Sequence, residues 1–216
     1  MAPLYKDLEP YKLSTLVEVK LSFISLENIS QRGVGFILKS LQTGINMKKF
    51  SIIFSNCINI DQETFEELGK LFRALKNLEK LTVAFANFTG MRNIKAGEPI
   101  ASLANSFLSS KKLQKFEISF AYTHDSIMEY SFSVFENFCS SPLARRLKEL
   151  TIDFRNCRIV NDNYLKTLGK EISKLSRLKK LSLDVRDCSA SEIGVKFLKN
   201  QLKEQKRPKP LFVYKL

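Results

Sequence analysis

Three stretches of this chain place apolar residues at one spacing: Leu78-x-x-Leu81-x-Val83-x-Phe85, Leu147-x-x-Leu150-x-Ile152-x-Phe154 and Leu178-x-x-Leu181-x-Leu183-x-Val185. The same frame fits Leu16-x-x-Val19-x-Leu21-x-Phe23, Met47-x-x-Phe50-x-Ile52-x-Phe54 and Leu113-x-x-Phe116-x-Ile118-x-Phe120, with aromatic or branched residues in the Leu slots. The second anchors stand at 19, 50, 81, 116, 150 and 181, so the spacings are 31, 31, 35, 34 and 31 residues. One further step of 31 reaches Phe212, which opens the alternating Phe212-Val213-Tyr214-Lys215-Leu216. Apolar and polar residues alternate within each frame, the period of a strand with one buried face. Seven short strands are predicted, starting near 17, 48, 79, 114, 148, 179 and 211.

Between the frames the period changes to three and four. Phe65, Leu68, Leu71, Phe72 and Leu75 make one apolar stripe, and Leu165, Leu168, Ile172 and Leu175 another, which is the mark of an amphipathic helix. Asp61, and Asn161 or Asp162, stand where N-caps belong, with Glu63 and Thr64 in the opening turn of the first helix; Pro99 and Pro142 suit linkers or first turns. Gly33 and Gly35 are expected in a turn between repeats. The longer periods place extra residues in 89–98 and around His124 to Tyr130, two excursions on one edge. One strand and one helix cannot bury their own apolar face, but stacked copies bury a shared one. The reading is a single α/β solenoid over residues 1–216 with parallel strands inside and helices outside.

The L-x-x-L-x-L frame, followed by Asn or Cys and then a helix, resembles the ribonuclease-inhibitor-like class of leucine-rich-repeat proteins from Leu13 to Leu216. Here Asn56-Cys57 and Asn156-Cys157, with Asp187-Cys188, fall about two residues later than the family pattern places them. The resemblance implies a horseshoe with strands on the concave side and helices on the convex side, and a fold that serves protein recognition without catalysis.

Charge and candidate chemistry narrow the picture. Lys and Arg together outnumber Asp and Glu by 35 to 22, a net charge of +13 that attracts acidic surfaces. Twenty-five of those cations are Lys and ten are Arg, whereas Arg is the better residue for gripping phosphate and reading base edges. Nucleic acid is therefore the weaker candidate partner, and an acidic protein surface the stronger. Cys57, Cys139, Cys157 and Cys188 form no C-x-x-C pair, and no His stands in register to complete a metal site, so core packing in a reducing compartment is expected. His124 is the only His; with Asp125 and Ser126 beside it, it has sequence adjacency but not the geometry of a triad. The common nucleotide-loop, nucleophile-elbow, zinc-helix and calcium-loop motifs are absent from the sequence. The expectation is a non-enzyme with no cofactor, no metal and no membrane span.

The alternation also names the residues that face away from the core. On the concave side these include Ser51, Ile53, Ser55, Thr82, Ala84, Ala86, Glu117, Ser119 and Ala121, a mostly small and smooth run, followed by Thr151, Asp153, Arg155, Ser182, Asp184 and Arg186. A smooth trough beside an Asp and Arg ladder suits a protein segment, with diagonal pairing among the four charges as the plain alternative. Lys70, Arg73, Lys166, Lys170 and Lys174 mark a basic convex surface, and Lys203, Lys206, Arg207 and Lys209 a basic run near the end. The functional expectation is an interaction scaffold in a larger assembly, in the cytoplasm and of cytoskeletal, ciliary or organellar type. RNA or ribonucleoprotein binding through the basic surface and regulatory inhibition of an enzyme are the alternatives.

Overall fold

The computed structural model describes residues 13–25, 31–57, 60, 62–87, 103, 106, 107, 109–123, 135–141, 144–203 and 211–215. Its strands are β1 (Glu18–Ile24), β2 (Lys49–Ser55), β3 (Lys80–Ala86), β4 (Lys115–Ser119), β5 (Glu149–Asp153), β6 (Lys180–Asp184) and β7 (Leu211–Lys215). They form one sheet in chain order, every neighbouring pair parallel. The register follows the repeat: Val19 stands beside Phe50, then Leu81, Phe116, Leu150, Leu181 and Phe212. A slip of one residue would turn every apolar side chain of a strand outward, so the alternation fixes this register.

Helices among the described residues include α1 (Gln31–Leu41), α2 (Gln62–Ala74), α3 (Asp162–Ser173) and α4 (Glu192–Lys203), with a 3-10 turn at Ala144–Arg146 and further helical residues at 135–140. All lie on one side. Phe72 of α2 meets Phe50 edge-on, Phe65 stacks on Phe85, and Tyr164 of α3 stands edge-on to Phe154. The result is a leucine-rich-repeat-type α/β solenoid with one shared core. Asn161 is the N-cap of α3, its side chain accepting from the Tyr164 N–H, and Asp162 is the first helical residue.

Two columns hold consecutive repeats together. Phe23, Phe54, Phe85, Phe120 and Phe154 stack with ring centroids 5.2, 6.0, 6.1 and 6.2 Å apart. Just past β2, β4, β5 and β6 a side chain donates to the carbonyl of the Phe one repeat earlier: Cys57 to Phe23, Thr123 to Phe85, Cys157 to Phe120 and Cys188 to Phe154, at 3.3, 2.7, 3.0 and 2.9 Å. The Phe120 and Phe154 carbonyls also accept from the Thr123 and Cys157 N–H at 3.1 Å, so the side-chain donor there fills a second acceptor site of a carbonyl in the core. The Cys residues are thus core fillers with a specific bond. Burial raises the Cys139 and Cys188 thiols above their ordinary range, which disfavours the reactive thiolate.

A left-handed residue follows each of the first six strands: Ser25, Asn56, Asn87, Tyr122, Asn156 and Asp187 have φ between 47° and 61°. Asn and Asp tolerate that region better than other residues with a side chain. The Asn-Cys pairs therefore sit late because Asn makes the turn and Cys makes the bond across to the preceding repeat. Asn87 in turn donates to Asn56, and Asn56 to Ser25.

Two expectations fail. Gly33 and Gly35 lie inside α1 with negative φ, not in a turn between repeats; helical periodicity through Val34, Leu38 and Leu41 overrides the glycines. Ala121 is 1% exposed instead of facing out, since β4 ends at Ser119 and a methyl group does not project beyond the turn that follows. Asp61, Pro99, Pro142, residues 89–98, His124 to Tyr130 and Lys206, Arg207 and Lys209 lie outside the described residues.

Candidate interaction surface on the open face of the sheet

The face of the sheet turned away from the helices carries four rows of side chains. Ser51, Ile53, Thr82, Ala84 and Ser119 are all half-buried there, and so are Asp153, Arg155, Asp184 and Arg186. The row through the first residues of the strands is Glu18, Lys49, Lys80, Lys115, Glu149 and Lys180. Lys80 thus belongs to the open face. These positions fall between the first and second apolar anchors of each frame, inside the strands expected from near 17, 48, 79, 114, 148 and 179.

Most of that row is internally paired. Glu18 binds Lys20 and Lys49, Lys80 binds Glu117 at 2.7 Å, and Lys115 binds Glu149 at 2.8 Å. The two cations hold the Glu18 carboxyl below its usual range. Thr82 Oγ1 also donates to Glu117 at 2.8 Å. A shallow cleft of about 510 Å³ follows this band from β1 to β5. The trough is therefore less smooth than its small residues suggest, because long paired side chains border it.

At the other end of the face, each Arg lies in the turn just past a strand and grips the Asp two residues before it, the strand's last residue. Arg155 Nε and Nη2 donate to Asp153 at 2.9 and 2.8 Å, and Arg186 Nε and Nη2 to Asp184 at 2.9 and 2.7 Å. Such two-point bonds are the strong, directional kind of ion pair. The one diagonal contact runs from Arg155 Nε to Asp184 at 3.8 Å. Ser119 adds a donor to Asp153 at 3.1 Å. The bond from Arg186 holds the Asp184 carboxyl below its usual range, while the carboxylates hold both guanidinium groups firmly charged. The four charges cancel and are locked in place before anything binds.

Sequence alternation misses Tyr122. It is 48% exposed, stands in the left-handed turn after β4, and its N–H donates to the Arg155 carbonyl at 2.7 Å. Every corresponding residue is Ser, Asn or Asp, so a bulky aromatic in this strained region is the exception in its row. The lone aromatic in the turn column is the signal that could have found it.

The helix-side cations are exposed, and four of the five are engaged locally. Lys70 binds Glu67, Arg73 donates to Ser106 at 2.7 Å, Lys174 binds Glu171, and Lys166 lies 5.6 Å over the Phe197 ring. Lys170 is exposed on the same side of α3. Among the described residues no group of His, Cys, Asp and Glu is arranged to hold a metal ion, and no helix is long and apolar enough to cross a membrane.

No family model matches the sequence, and no curated protein matches it. Among solved structures, the tropomodulin C-terminal domain of Caenorhabditis elegans is similar over 79% of this chain and 92% of that one, with 16% identity and a TM-score of 0.47.

Proposed function

We propose that this chain is a non-catalytic recognition scaffold that holds a segment of a partner protein across the open face of its sheet, as a subunit of a larger assembly. The observation that carries this reading is the exposed, strained Tyr122 beside the two locked Asp and Arg pairs. Tyr and Arg are the side chains over-represented where interfaces concentrate their energy. Because Asp153, Arg155, Asp184 and Arg186 are already ordered, a partner does not have to freeze them. Ser51, Ile53, Thr82, Ala84 and Ser119 leave room for close approach of a main chain, and the charged end fixes its register. The 31-residue periods and the turn-then-Cys pattern support the ribonuclease-inhibitor-like class of repeat, in a form whose Asn-Cys pairs fall about two residues late. The reducing environment that buried thiols favour supports a cytoplasmic place in a cytoskeletal or other large assembly.

RNA binding through the helix side is the weaker reading, since Lys70, Arg73, Lys166 and Lys174 are held by local partners. Regulatory inhibition of an enzyme would use the same open face and would appear as stoichiometric loss of that enzyme's activity. The test is an affinity pull-down from the native source at low and moderate salt. It compares wild type, Asp153→Lys/Asp184→Lys, and Lys166→Gln/Lys170→Gln/Lys174→Gln. Loss of one stoichiometric protein with the first variant alone supports the proposal. Loss with the second alone, or recovery chiefly of nucleic acid, overturns it.

A further inference from the structure

The last strand offers a second, independent surface. Lys180 and Phe154 show how the main-chain bonds alternate: the Lys180 N–H reaches back to Lys148, and the Phe154 N–H reaches forward to the Asp184 carbonyl. On the far side of β6, the Val185 N–H donates to the Lys215 carbonyl at 3.0 Å. In a parallel strand the N–H and C=O of one residue point to one side and those of the next to the other. Leu211, Val213 and Lys215 therefore bond toward β6, and Phe212 and Tyr214 direct their N–H and C=O groups outward. Among the described residues no strand lies beyond β7. The rings of Phe212 and Tyr214 stack at 5.5 Å on the helix side, yet Tyr214 is 42% exposed, and Ile193 of α4 is 74% exposed.

The space beside this edge is shaped for something thinner than a further repeat. Aligned from their N-caps, Asn161 and Ser191, Gly169 of α3 corresponds to Lys199 of α4. α4 packs so closely on α3 that a Cβ on Gly169 would fall 2.9 Å from Leu198. A helix approaching α4 in the same way would collide with Lys199. What remains is a cleft of about 470 Å³ between α4 and β7, lined by Ile193 and Tyr214 and bordered by Lys196, Lys199 and Lys203 against a single acid, Glu192. Lys215 adds a cation at the end of the strand.

We infer that this edge accepts an extended segment of a partner protein as an eighth strand, with apolar side chains against Phe212, Tyr214 and Ile193 and carboxylates on its flanks. Main-chain bonds to Phe212 and Tyr214 give affinity, as in strand addition generally, and the lysines select for acidic flanks. A second copy of this chain is the poorer occupant. Two-fold pairing sets each patch against itself and would bring both sets of lysines within a screening length of about 10 Å.

The test uses the full chain and a labelled peptide, Glu-Glu-Val-Thr-Val-Thr-Val-Glu-Glu, with the Lys-flanked counterpart as control. Tyr214→Pro removes an outward N–H without touching the ladder to β6, and Pro is tolerated on an edge of that kind. Lys196→Glu/Lys199→Glu/Lys203→Glu reverses the cations that border the cleft and leaves the backbone alone. Saturable binding of the acidic peptide, weakened at least tenfold by each variant, with no binding of the Lys-flanked control, is expected. The inference is overturned by equal binding of the two peptides, by no binding of either, or by binding that Tyr214→Pro leaves unchanged. A concentration-dependent dimer that Tyr214→Pro abolishes would also overturn it, in favour of the second copy.

Discussion

Replacing Phe85 by Ala should damage the solenoid more than the same change at the end of the ring column. Phe85 is 2% exposed and touches the rings of Phe54, Phe65 and Phe120 at 6.0, 5.6 and 6.1 Å. Phe23, at the first repeat, is 5% exposed and stacks on Phe54 at 5.2 Å. A buried Phe→Ala change costs about 3–5 kcal/mol through lost transfer energy and the cavity left behind. Aromatic pairs add about 0.5–1.5 kcal/mol each beyond area burial. Phe85→Ala therefore belongs at or above the top of that range, and Phe23→Ala at least about 1 kcal/mol below it. Because each repeat is held only by its neighbours, the central defect should also uncouple the two halves and broaden the transition. Urea unfolding followed by far-ultraviolet circular dichroism measures both effects. Equal losses at the two positions, or a loss under about 1 kcal/mol at Phe85, would refute the claim that the column couples the repeats.

Cys157→Ala should cost about 0.5–1.5 kcal/mol by removing one of two bonds to the buried Phe120 carbonyl, which keeps the Thr123 N–H at 3.1 Å, and Cys157→Ser clearly less, since Thr123 fills the same position with a hydroxyl. Chemical denaturation of the two variants decides it. Gly35→Ala, with nothing within 4 Å of the added methyl, should stabilise α1 by about 0.5–1 kcal/mol. Gly194→Ala should destabilise, because its Cβ would fall 3.0 Å from the Asp162 backbone; thermal melts compare the two. Acid should weaken the fold in a defined window. Asp162, bonded by the Ser191 N–H and hydroxyl, and Asp184, bonded by Arg186, both have carboxyl groups held below their usual range. Their contribution is present above the unfolded value of about 3.9 and lost as pH falls through the lower folded values. The melting temperature should hold level from about pH 7 to 5 and fall below about pH 4, with a smaller acid-induced fall in Asp162→Asn.

The strand frames were legible because one side of each strand is buried and the repeat restates that fact seven times; the anchors Val19 to Phe212 became register partners without adjustment. The N-cap of α3 was legible to within one residue, Asn161 or Asp162, from the residue types that cap helices, and Asn161 takes the role. What one chain's periodicity does not carry is the end of a strand. Alternation alone extended β4 to Ala121 and passed over Tyr122, whose exposure depends on a turn and not on a period. Nor does it say which oppositely charged neighbours pair. Arg155 and Arg186 chose the Asp two residues back because their guanidinium groups reach both carboxylate oxygens there, and the diagonal partner is farther away. Gly33 and Gly35 misled because helical burial of Val34 and Leu38 outweighs the modest helix penalty of glycine.

The central claim is recognition on the open face next to Tyr122, and titration of the isolated partner against wild type and Tyr122→Ala tests it most directly. The account predicts binding at least tenfold weaker for Tyr122→Ala, about 1.4 kcal/mol or more, with unfolding unchanged or slightly improved by relief of the strained aromatic. Unchanged affinity in a folded Tyr122→Ala would contradict it.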